Sequence, residues 1–138
     1  MKKTIKSTVS LVLAFMFIVC LASCGAQVNK EGLWENAIYL KDTELGKGEK
    51  TATVEVKAGD RSITFTVHTD EEMLGAALLA HDLIEGENGL YTKVNGMVAD
   101  YNVDQSYWGF YINGELAMTG IDTTPITEGA SYQLVYTK

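Results

Sequence analysis

The chain has 138 residues and carries 18 acidic against 11 basic side chains, which gives a formal net charge of −7. A chain of this length suits a single domain with its own core. An acidic surface repels phosphate backbones, so the charge argues against nucleic-acid binding.

Residues 1–23 have the features of a bacterial lipoprotein signal peptide. Three lysines precede an apolar run over residues 11–21, which is too short to span a bilayer comfortably. The run ends in Leu21-Ala22-Ser23-Cys24, which resembles the lipobox, where the chain is cut before a cysteine that then carries acyl chains such as palmitate. We predict lipid attachment at Cys24 and an extracytoplasmic domain that this lipid anchors to the bacterial cell membrane. The alternative is an ordinary secretory signal with an incidental cysteine.

Cleavage before Cys24 would also remove Cys20 and three lysines, and losing three positive charges changes the formal net charge from −7 to −10. Because the sulfur of Cys24 would be held in a thioether, the mature chain would have no free thiol. This excludes a disulfide, a thiolate nucleophile and a cysteine metal site, and leaves the lipid as the expected covalent group.

Residues 24–50 are irregular, with four glycines and mixed charges, and are predicted to form a tether. Within them the apolar patch Leu33–Leu40 is expected to dock back on the domain, since exposed apolar patches are disfavoured. Two alternating stretches follow, Thr51–Lys57 and Ser62–His68, and the turn between them predicts a β-hairpin with one solvated face. His68 falls on that face and is expected to be an ordinary surface residue.

A helix is predicted from Asp70 to about Ile84, because Thr69 and Glu72 have capping-box spacing and apolar residues then recur at helical intervals. Gly86 is placed to end it with a left-handed cap. His81 closes the apolar stripe and is expected to be a packed or rim residue rather than a ligand.

Later stretches predict antiparallel strands joined by tight turns. They are 90–94 with 97–101, 107–112 with 115–119, and the closing strand 131–137. Asn95-Gly96 and Asn113-Gly114 join the two pairs, and both are type I′ turn signals. Strands around a single helix indicate an α+β fold.

The strand at 107–112 is unusually aromatic. Alternation puts Trp108, Phe110 and Ile112 on one face and Tyr107 and Tyr111 on the other, so both faces are expected to be covered. The rings of Tyr107, Trp108 and Phe110 beside hairpin amides would suit a flat, partly apolar ligand. The alternative is a plain core strand, because aromatic stripes more often serve packing.

Asp100, Asn102 and Asp104 place oxygen atoms at alternate positions, a pattern that hard cations use, and are the candidates for a divalent-metal site. A helix-loop-helix calcium loop has Gly where Gln105 stands and Glu where Tyr111 stands. The alternative is an acidic solvated turn.

Catalytic signatures are not evident in the sequence: it has no Gly-x-Ser-x-Gly elbow, phosphate-binding glycine loop or His-Glu-x-x-His motif. The two histidines lie on different predicted elements. We therefore expect a protein that is not an enzyme.

Residues 66–138 resemble the small C-terminal domain of transcobalamin and intrinsic factor, as it occurs in a bacterial family of uncharacterised function. The matching segments are the helix Met73–Leu83, Val94-Asn95-Gly96, Tyr107-Trp108-Gly109-Phe110, Met118-Thr119-Gly120-Ile121-Asp122 and the strand Tyr132–Tyr136. The resemblance implies a β-grasp-like, mostly antiparallel sheet with one helix packed across it, formed by a domain over residues 51–138.

In the vitamin carriers this domain closes over one face of a corrinoid. The resemblance therefore implies ligand contacts at Phe110 and Ala117, with Trp108 and Met118 as neighbours. The carriers add a helical domain over the opposite face, so the expected corrinoid ligand would be shared with a separate partner protein. The alternative function is a protein-interaction or adhesion module that uses the same hairpin or a free sheet edge.

Overall fold

The computed structural model describes residues 30–138, which contain nine strands and two short α-helices. The strands are β1 (Thr43–Gly46), β2 (Lys50–Ala58), β3 (Arg61–Thr69), β4 (Ile84–Glu87), β5 (Leu90–Val94), β6 (Met97–Val98), β7 (Tyr107–Ile112), β8 (Glu115–Leu116) and β9 (Ser131–Thr137). The helices are α1 (Leu74–Leu79) and α2 (Tyr101–Asp104), and 3-10 turns cover Gly32–Trp34 and Ile121–Thr123. The predicted signal peptide, residues 1–23, and the predicted lipid site Cys24 lie outside the described residues.

Six strands form one mixed sheet in the order β1-β3-β2-β9-β7-β8. The β2–β3 hairpin pairs antiparallel over its whole length, as alternation predicts, and buries Val54, Val56 and Phe65. β9 is parallel to β2 and antiparallel to β7. Across the sheet the four long strands lie in the order β3, β2, β9, β7, which is second, first, fourth, third in chain order. The central pair, β2 and β9, is parallel. This is the β-grasp arrangement. The predicted α+β class is confirmed.

Helix α1 begins later than predicted. Thr69 Oγ1 accepts a hydrogen bond from the backbone N–H of Glu71 at 3.0 Å, so the capping box between Thr69 and Glu72 does not form. The N–H of Leu74 instead donates to the carbonyl of Thr124 at 2.8 Å. Residues before Leu74 are thus held extended against the 120s loop, and this tertiary contact overrides the local signal for a helix.

The same helix also ends earlier than predicted, and not at Gly86. Asp82 adopts the left-handed conformation with φ 55°, its N–H donates to Leu79, and the N–H of Leu83 donates to Leu78. These two bonds form a Schellman motif, which ends the helix. Ile84 then starts β4 and pairs with Val94, because a strand buries it where a continued helix would not.

β4, β5 and β6 form a separate three-stranded sheet. Its second turn is the predicted type I′ turn, with φ 50° at Asn95 and 82° at Gly96. β6 is shorter than predicted because Asp100 caps helix α2 instead of continuing the strand. β8 is also shorter, since the chain leaves the sheet after Leu116 to reach the 3-10 turn 121–123.

The prediction of a tether over residues 24–50 is wrong for most of the described part, which is folded onto the domain. Trp34 and Ala37 are buried, β1 pairs with β3, and the boundary at residue 50 falls at the first residue of β2. Asn95 holds this segment: its side chain exchanges hydrogen bonds of 2.9 Å with the backbone N–H and carbonyl of Tyr39. The apolar patch docks as predicted. The glycines and charges of residues 24–50 suggested an irregular tether, but the segment is structured.

The main sheet, α1, the small sheet and the Trp34 segment enclose one apolar core. Among residues 30–138, no helix is long and apolar enough to cross a membrane.

Candidate ligand groove

A groove runs between β7 of the main sheet and β5 of the small sheet. It consists of two adjoining cavities of about 120 and 150 Å³, which share Leu90, Tyr91 and Trp108 as lining residues. Phe110 and Ile121 line the first cavity, beside Gly89, Thr119, Gly120 and Leu134. Thr92, Ala99, Tyr101, Ser106 and Tyr107 complete the second. We call the two cavities together the aromatic groove.

Packing fixes the two central rings of the groove. The indole N–H of Trp108 donates to the carbonyl of Met97 at 3.3 Å, and its ring meets Tyr136 edge-on with centroids 5.6 Å apart. Phe110 stacks on Tyr132 with centroids 6.4 Å apart and an interplanar angle of 20°. Because these rings are held by neighbouring rings of β9 on the same face of the main sheet, the groove has a rigid aromatic wall.

The predicted turn after β7 sets the register of this wall. Asn113 and Gly114 have φ 51° and 82°, as a type I′ turn requires. Asn113 also accepts the N–H of Ser131 at 2.9 Å through its side chain, which ties the turn to β9. A slip of one residue would turn Trp108 and Phe110 to the other face of the sheet.

A tyrosine and a carboxylate meet at one end of the groove. The hydroxyl of Tyr91 donates to Asp122 Oδ1. Partial burial, followed by this hydrogen bond and the charge of Asp122, raises the pKa of Tyr91 to about 12. A Cβ at Gly75 of α1 would collide with the same carboxylate, and one at Gly89 would lie 3.4 Å from Asp122 Oδ2. Two glycines therefore make the room that holds Asp122 against Tyr91.

The structure brings three of the five predicted ligand residues to the groove. Trp108 and Phe110 line the first cavity and Tyr107 the second. Ala117 and Met118 line neither: the N–H of Ala117 bonds the carbonyl of Phe110 at 2.9 Å, and Met118 is 95% exposed. Tyr107 is also half exposed, so the expectation that both faces of β7 are covered is wrong at this position.

Tyr91, Ile121 and Asp122 were not selected from the sequence. Gly120-Ile121-Asp122 lies within a segment that carries the family resemblance, which is the one signal that pointed to it. Tyr91 gave no signal, because its partner is 31 residues away in the chain.

The predicted metal candidates serve local structure. Asp100 Oδ1 accepts the N–H of Asn102 and thereby caps α2. Asp104 Oδ1 accepts the hydroxyl of Ser106 at 2.5 Å and its N–H at 3.1 Å. The hydrogen bond from the Ser106 hydroxyl, assisted by Lys138 at 3.6 Å, lowers the pKa of the Asp104 carboxyl.

The two histidines lie apart from the groove. His68 is partly buried, with Nε2 2.5 Å from Glu44 Oε1 and Nδ1 3.1 Å from Thr51 Oγ1, so it is more constrained than the predicted surface residue. The ring of His81 lies beside Gly46. Within residues 30–138, no group of three histidine, cysteine, aspartate or glutamate side chains could hold a metal ion.

Comparison with known proteins gives a matching family model and similar solved structures. The model of the family described as "Domain of unknown function (DUF4430)" matches residues 72–138. The crystal structure of a "putative metal binding protein" from Ruminococcus gnavus is similar, with 33% sequence identity and a TM-score of 0.61 over 65% of this chain and 98% of that chain. Haptocorrin in complex with Cbi is similar at 18% identity and a TM-score of 0.48, over 64% of this chain and 25% of that chain. No curated protein matches the chain.

Proposed function

Because this chain belongs to the family described as "Domain of unknown function (DUF4430)", we propose that it is a ligand-binding lipoprotein of the bacterial cell surface. The ligand is flat and partly apolar, with a corrinoid as the specific candidate, and it binds in the aromatic groove. The role is binding rather than catalysis. The lipid on Cys24 holds the protein on the outer side of the membrane.

The rigid aromatic wall is the observation that carries this proposal. Trp108 and Phe110 present ring surface to a groove that opens to solvent, while Tyr136 and Tyr132 of the adjacent strand β9 pack beside them. A preformed apolar cleft that contains a few polar groups is the usual form of a small-molecule site. Ring surface that is already ordered binds a flat ligand without a further loss of side-chain entropy.

The polar end of the groove suits a ligand with peripheral hydrogen-bond donors. Tyr91 holds one oxygen of Asp122, and the other oxygen faces Gly89 at the edge of the first cavity. The amide side chains around a corrinoid ring offer N–H donors to such an acceptor, and a hydrogen bond to a charged group is among the stronger kinds.

The groove covers only one side of such a ligand. Its two cavities are small beside typical ligand pockets of about 300–1,000 Å³. We therefore expect this protein alone to bind a corrinoid more weakly than about 1 μM, which corresponds to less than roughly 8 kcal/mol. A partner protein over the open side would supply the remaining contacts.

The divalent-metal alternative rests on Asp100, Asn102 and Asp104, the candidates that the sequence offers. The relative from Ruminococcus gnavus is described as metal binding, but in residues 30–138 no three suitable side chains converge. Asp100 and Asp104 already accept hydrogen bonds from their own backbone segment.

The second candidate function is a protein-interaction module. Large apolar side chains are exposed by 60% or more, among them Leu90 of the groove and Val98, Leu116 and Met118 outside it. Exposed apolar side chains that cluster indicate a contact surface. Such a surface would also suit the partner that shares a ligand.

The test is a titration of the mature, detergent-solubilised protein with cobinamide and with cobalamin, followed by Trp fluorescence. Trp34→Phe leaves Trp108 as the single reporter among the described residues. We expect saturable quenching, and Phe110→Leu should weaken binding about fivefold to tenfold, because one aromatic contact contributes about 1 kcal/mol.

The matched control is Tyr111→Leu, which removes a ring of similar size from the same strand but lines neither cavity. Its binding should equal that of the parent. Quenching that never exceeds the inner-filter effect, or an equal loss in both variants, would count against a ligand in the aromatic groove and favour the interaction module.

A further inference from the structure

One end of the main sheet is where the N-terminal segment joins the domain. The indole N–H of Trp34 donates to the carbonyl of Ala58 at 3.0 Å, and the Trp34 ring lies under the guanidinium of Arg61 at 4.6 Å. A Cβ at Gly59 would be 3.9 Å from Leu33. The turn between β2 and β3 therefore marks this end, which we call the entry end.

Helix α2 and the start of β7 lie at the entry end as well. β9 is parallel to β2, with Val135 opposite Lys57, so the last residues of the chain are level with the β2–β3 turn. Tyr107 pairs with Thr137, which places the first residue of β7 there. Lys138 Nζ lies 3.6 Å from Asp104 Oδ2 and joins α2 to the same end.

The entry end exposes four large apolar or aromatic side chains. They are Leu33 at 42%, Tyr101 at 64%, Val103 at 80% and Tyr107 at 49%. Side chains of this kind at an exposed tip contribute little to folding. Tyrosine is enriched where protein meets the boundary of a bilayer, because its ring is apolar and its hydroxyl remains hydrated.

The distribution of charged side chains also distinguishes the two ends of the sheet. The far end, around the starts of β2 and β9, carries a dense group of carboxylates: Glu49, Asp70, Glu71, Glu72, Glu115 and Glu128. Two of these carboxylates accept backbone hydrogen bonds at this end: Asp70 accepts the N–H of Glu49, and Glu128 accepts the N–H of Thr51. The far end also has Lys47 and Lys50, the second of which pairs with Glu72. The entry end has Lys57, Arg61 and Lys138 beside the acidic Glu31, Glu35, Asp60, Asp100 and Asp104. The excess of carboxylates is larger at the far end, so an anionic bilayer surface would repel the far end more strongly than the entry end.

The chain length between the lipid site and the entry end is short. Gly32, where the first 3-10 turn begins, is the eighth residue after Cys24. Since an extended chain spans at most about 3.3–3.6 Å per residue, Gly32 lies within roughly 30 Å of the lipidated residue. That is less than half the reach of the 27-residue tether that the sequence suggested.

We infer that the entry end is a membrane-contact surface, on which Leu33, Tyr101, Val103 and Tyr107 rest on the lipid headgroups. This inference depends on the proposed lipid anchor at Cys24, which brings the surface to the bilayer. The anchor alone restricts distance, and the apolar side chains and the acidic far end select the orientation. The second cavity of the aromatic groove then opens next to the membrane, while the first, with Phe110 and Ile121, lies farther out.

The experiment uses the full-length protein, processed in a lipoprotein-competent bacterial host and reconstituted in vesicles of phosphatidylethanolamine and phosphatidylglycerol. Val103→Cys and Leu116→Cys each supply one thiol for a fluorescent label, because residues 25–138 contain no cysteine. Both positions are exposed apolar residues, at 80% and 62%, and Leu116 is at the far end. Lipids with a nitroxide on the headgroup quench the label at short range.

We expect quenching at position 103 to be severalfold stronger than at position 116, and Tyr101→Cys to behave like position 103. The intact mass of the mature protein reports the acyl chains separately. A lipidated protein with equal quenching at both ends would overturn the contact surface and leave the anchor intact. A mature mass without acyl chains would overturn the anchor and this surface together.

Discussion

Tyr91 and Asp122 show how a single contact joins distant parts of this chain. The hydroxyl of Tyr91, on β5, donates to a carboxylate in the 3-10 turn 121–123. Gly75 and Gly89 leave space for that carboxylate on two sides. The contact closes one end of the aromatic groove, and it connects the small sheet to the loop against which α1 begins.

The raised pKa of Tyr91 predicts a loss of stability at high pH. Its value is about 12 in the folded protein against an ordinary 10.0, so the folded state keeps the proton where the unfolded chain releases it. The stabilisation is complete below pH 10 and is lost as the pH rises through about 12. The free energy of unfolding, measured with urea across this range, should fall more steeply for the parent than for Tyr91→Phe.

Tyr107→Phe is the control, because that hydroxyl is at a half-exposed position on β7. It should keep the steep dependence of the parent. An identical pH dependence in the parent and in Tyr91→Phe would mean that the Tyr91 hydroxyl does not contribute to it.

At the scale of elements, the two type I′ turns that the sequence predicted, Asn95-Gly96 and Asn113-Gly114, have nearly the same backbone and very different surroundings. Gly96 and Gly114 both have φ 82°. A Cβ at Gly114 would meet nothing within 4 Å, whereas a Cβ at Gly96 would collide with the carbonyl oxygen of Asn36. Only the first turn is covered by the N-terminal segment.

Alanine at these two glycines should therefore have unequal costs. Gly114→Ala should lower the free energy of unfolding by about 1–2 kcal/mol, because alanine is strained in the left-handed conformation. Gly96→Ala has the same strain and must also displace the Asn36 backbone, so it should lower the free energy of unfolding by at least about 3 kcal/mol. Urea unfolding of both variants gives the comparison. Equal costs would show that the N-terminal segment does not pack on the Asn95-Gly96 turn in solution.

At the scale of the whole molecule, the domain includes the segment that the sequence suggested was a tether. Trp34 is 4% exposed, bonds the carbonyl of Ala58 and lies against Arg61. β1 extends the main sheet beyond β3. The described domain thus begins near Gly32, and its N-terminal segment contributes to the same core as the β-grasp strands.

Trp34→Ala should destabilise the whole protein by about 3–5 kcal/mol, the range for removing a large buried aromatic side chain. The neighbouring Leu33→Ala should change stability by no more than about 0.5 kcal/mol, because that side chain is exposed. Thermal unfolding of the two variants tests this pair. A small effect of Trp34→Ala would return residues 32–46 to the role of a tether.

Local patterns in the sequence were enough to predict the β2–β3, β5–β6 and β7–β8 hairpins, the Asn95-Gly96 and Asn113-Gly114 turns and the α+β class, but not the β4–β5 hairpin. Alternation in residues 51–68 requires one buried face, and the positive φ of an Asn-Gly pair depends on those two residues alone. The face of β7 that bears Trp108 and Phe110 followed from the same period of two. Two of the five predicted ligand residues, Trp108 and Phe110, reach the groove for this reason, whereas Tyr107 lines the second cavity from the first position of the strand.

Tertiary structure determined the conformation of those segments in which local sequence signals conflict with contacts from distant residues. The Thr69–Glu72 capping box is outweighed when Leu74 bonds Thr124. The helix ends at Leu79, the chain turns at Asp82, and Leu83 and Ile84 are buried in the core and the small sheet. The sequence predicted that the patch containing Trp34 docks on the domain, but only the fold shows that Ala58 and Arg61 are its partners. The walls of the aromatic groove come from β5, from β7 and from the 120s loop. No pattern within one segment predicts this arrangement, because the contacts that stabilise it join residues that only the completed fold brings together.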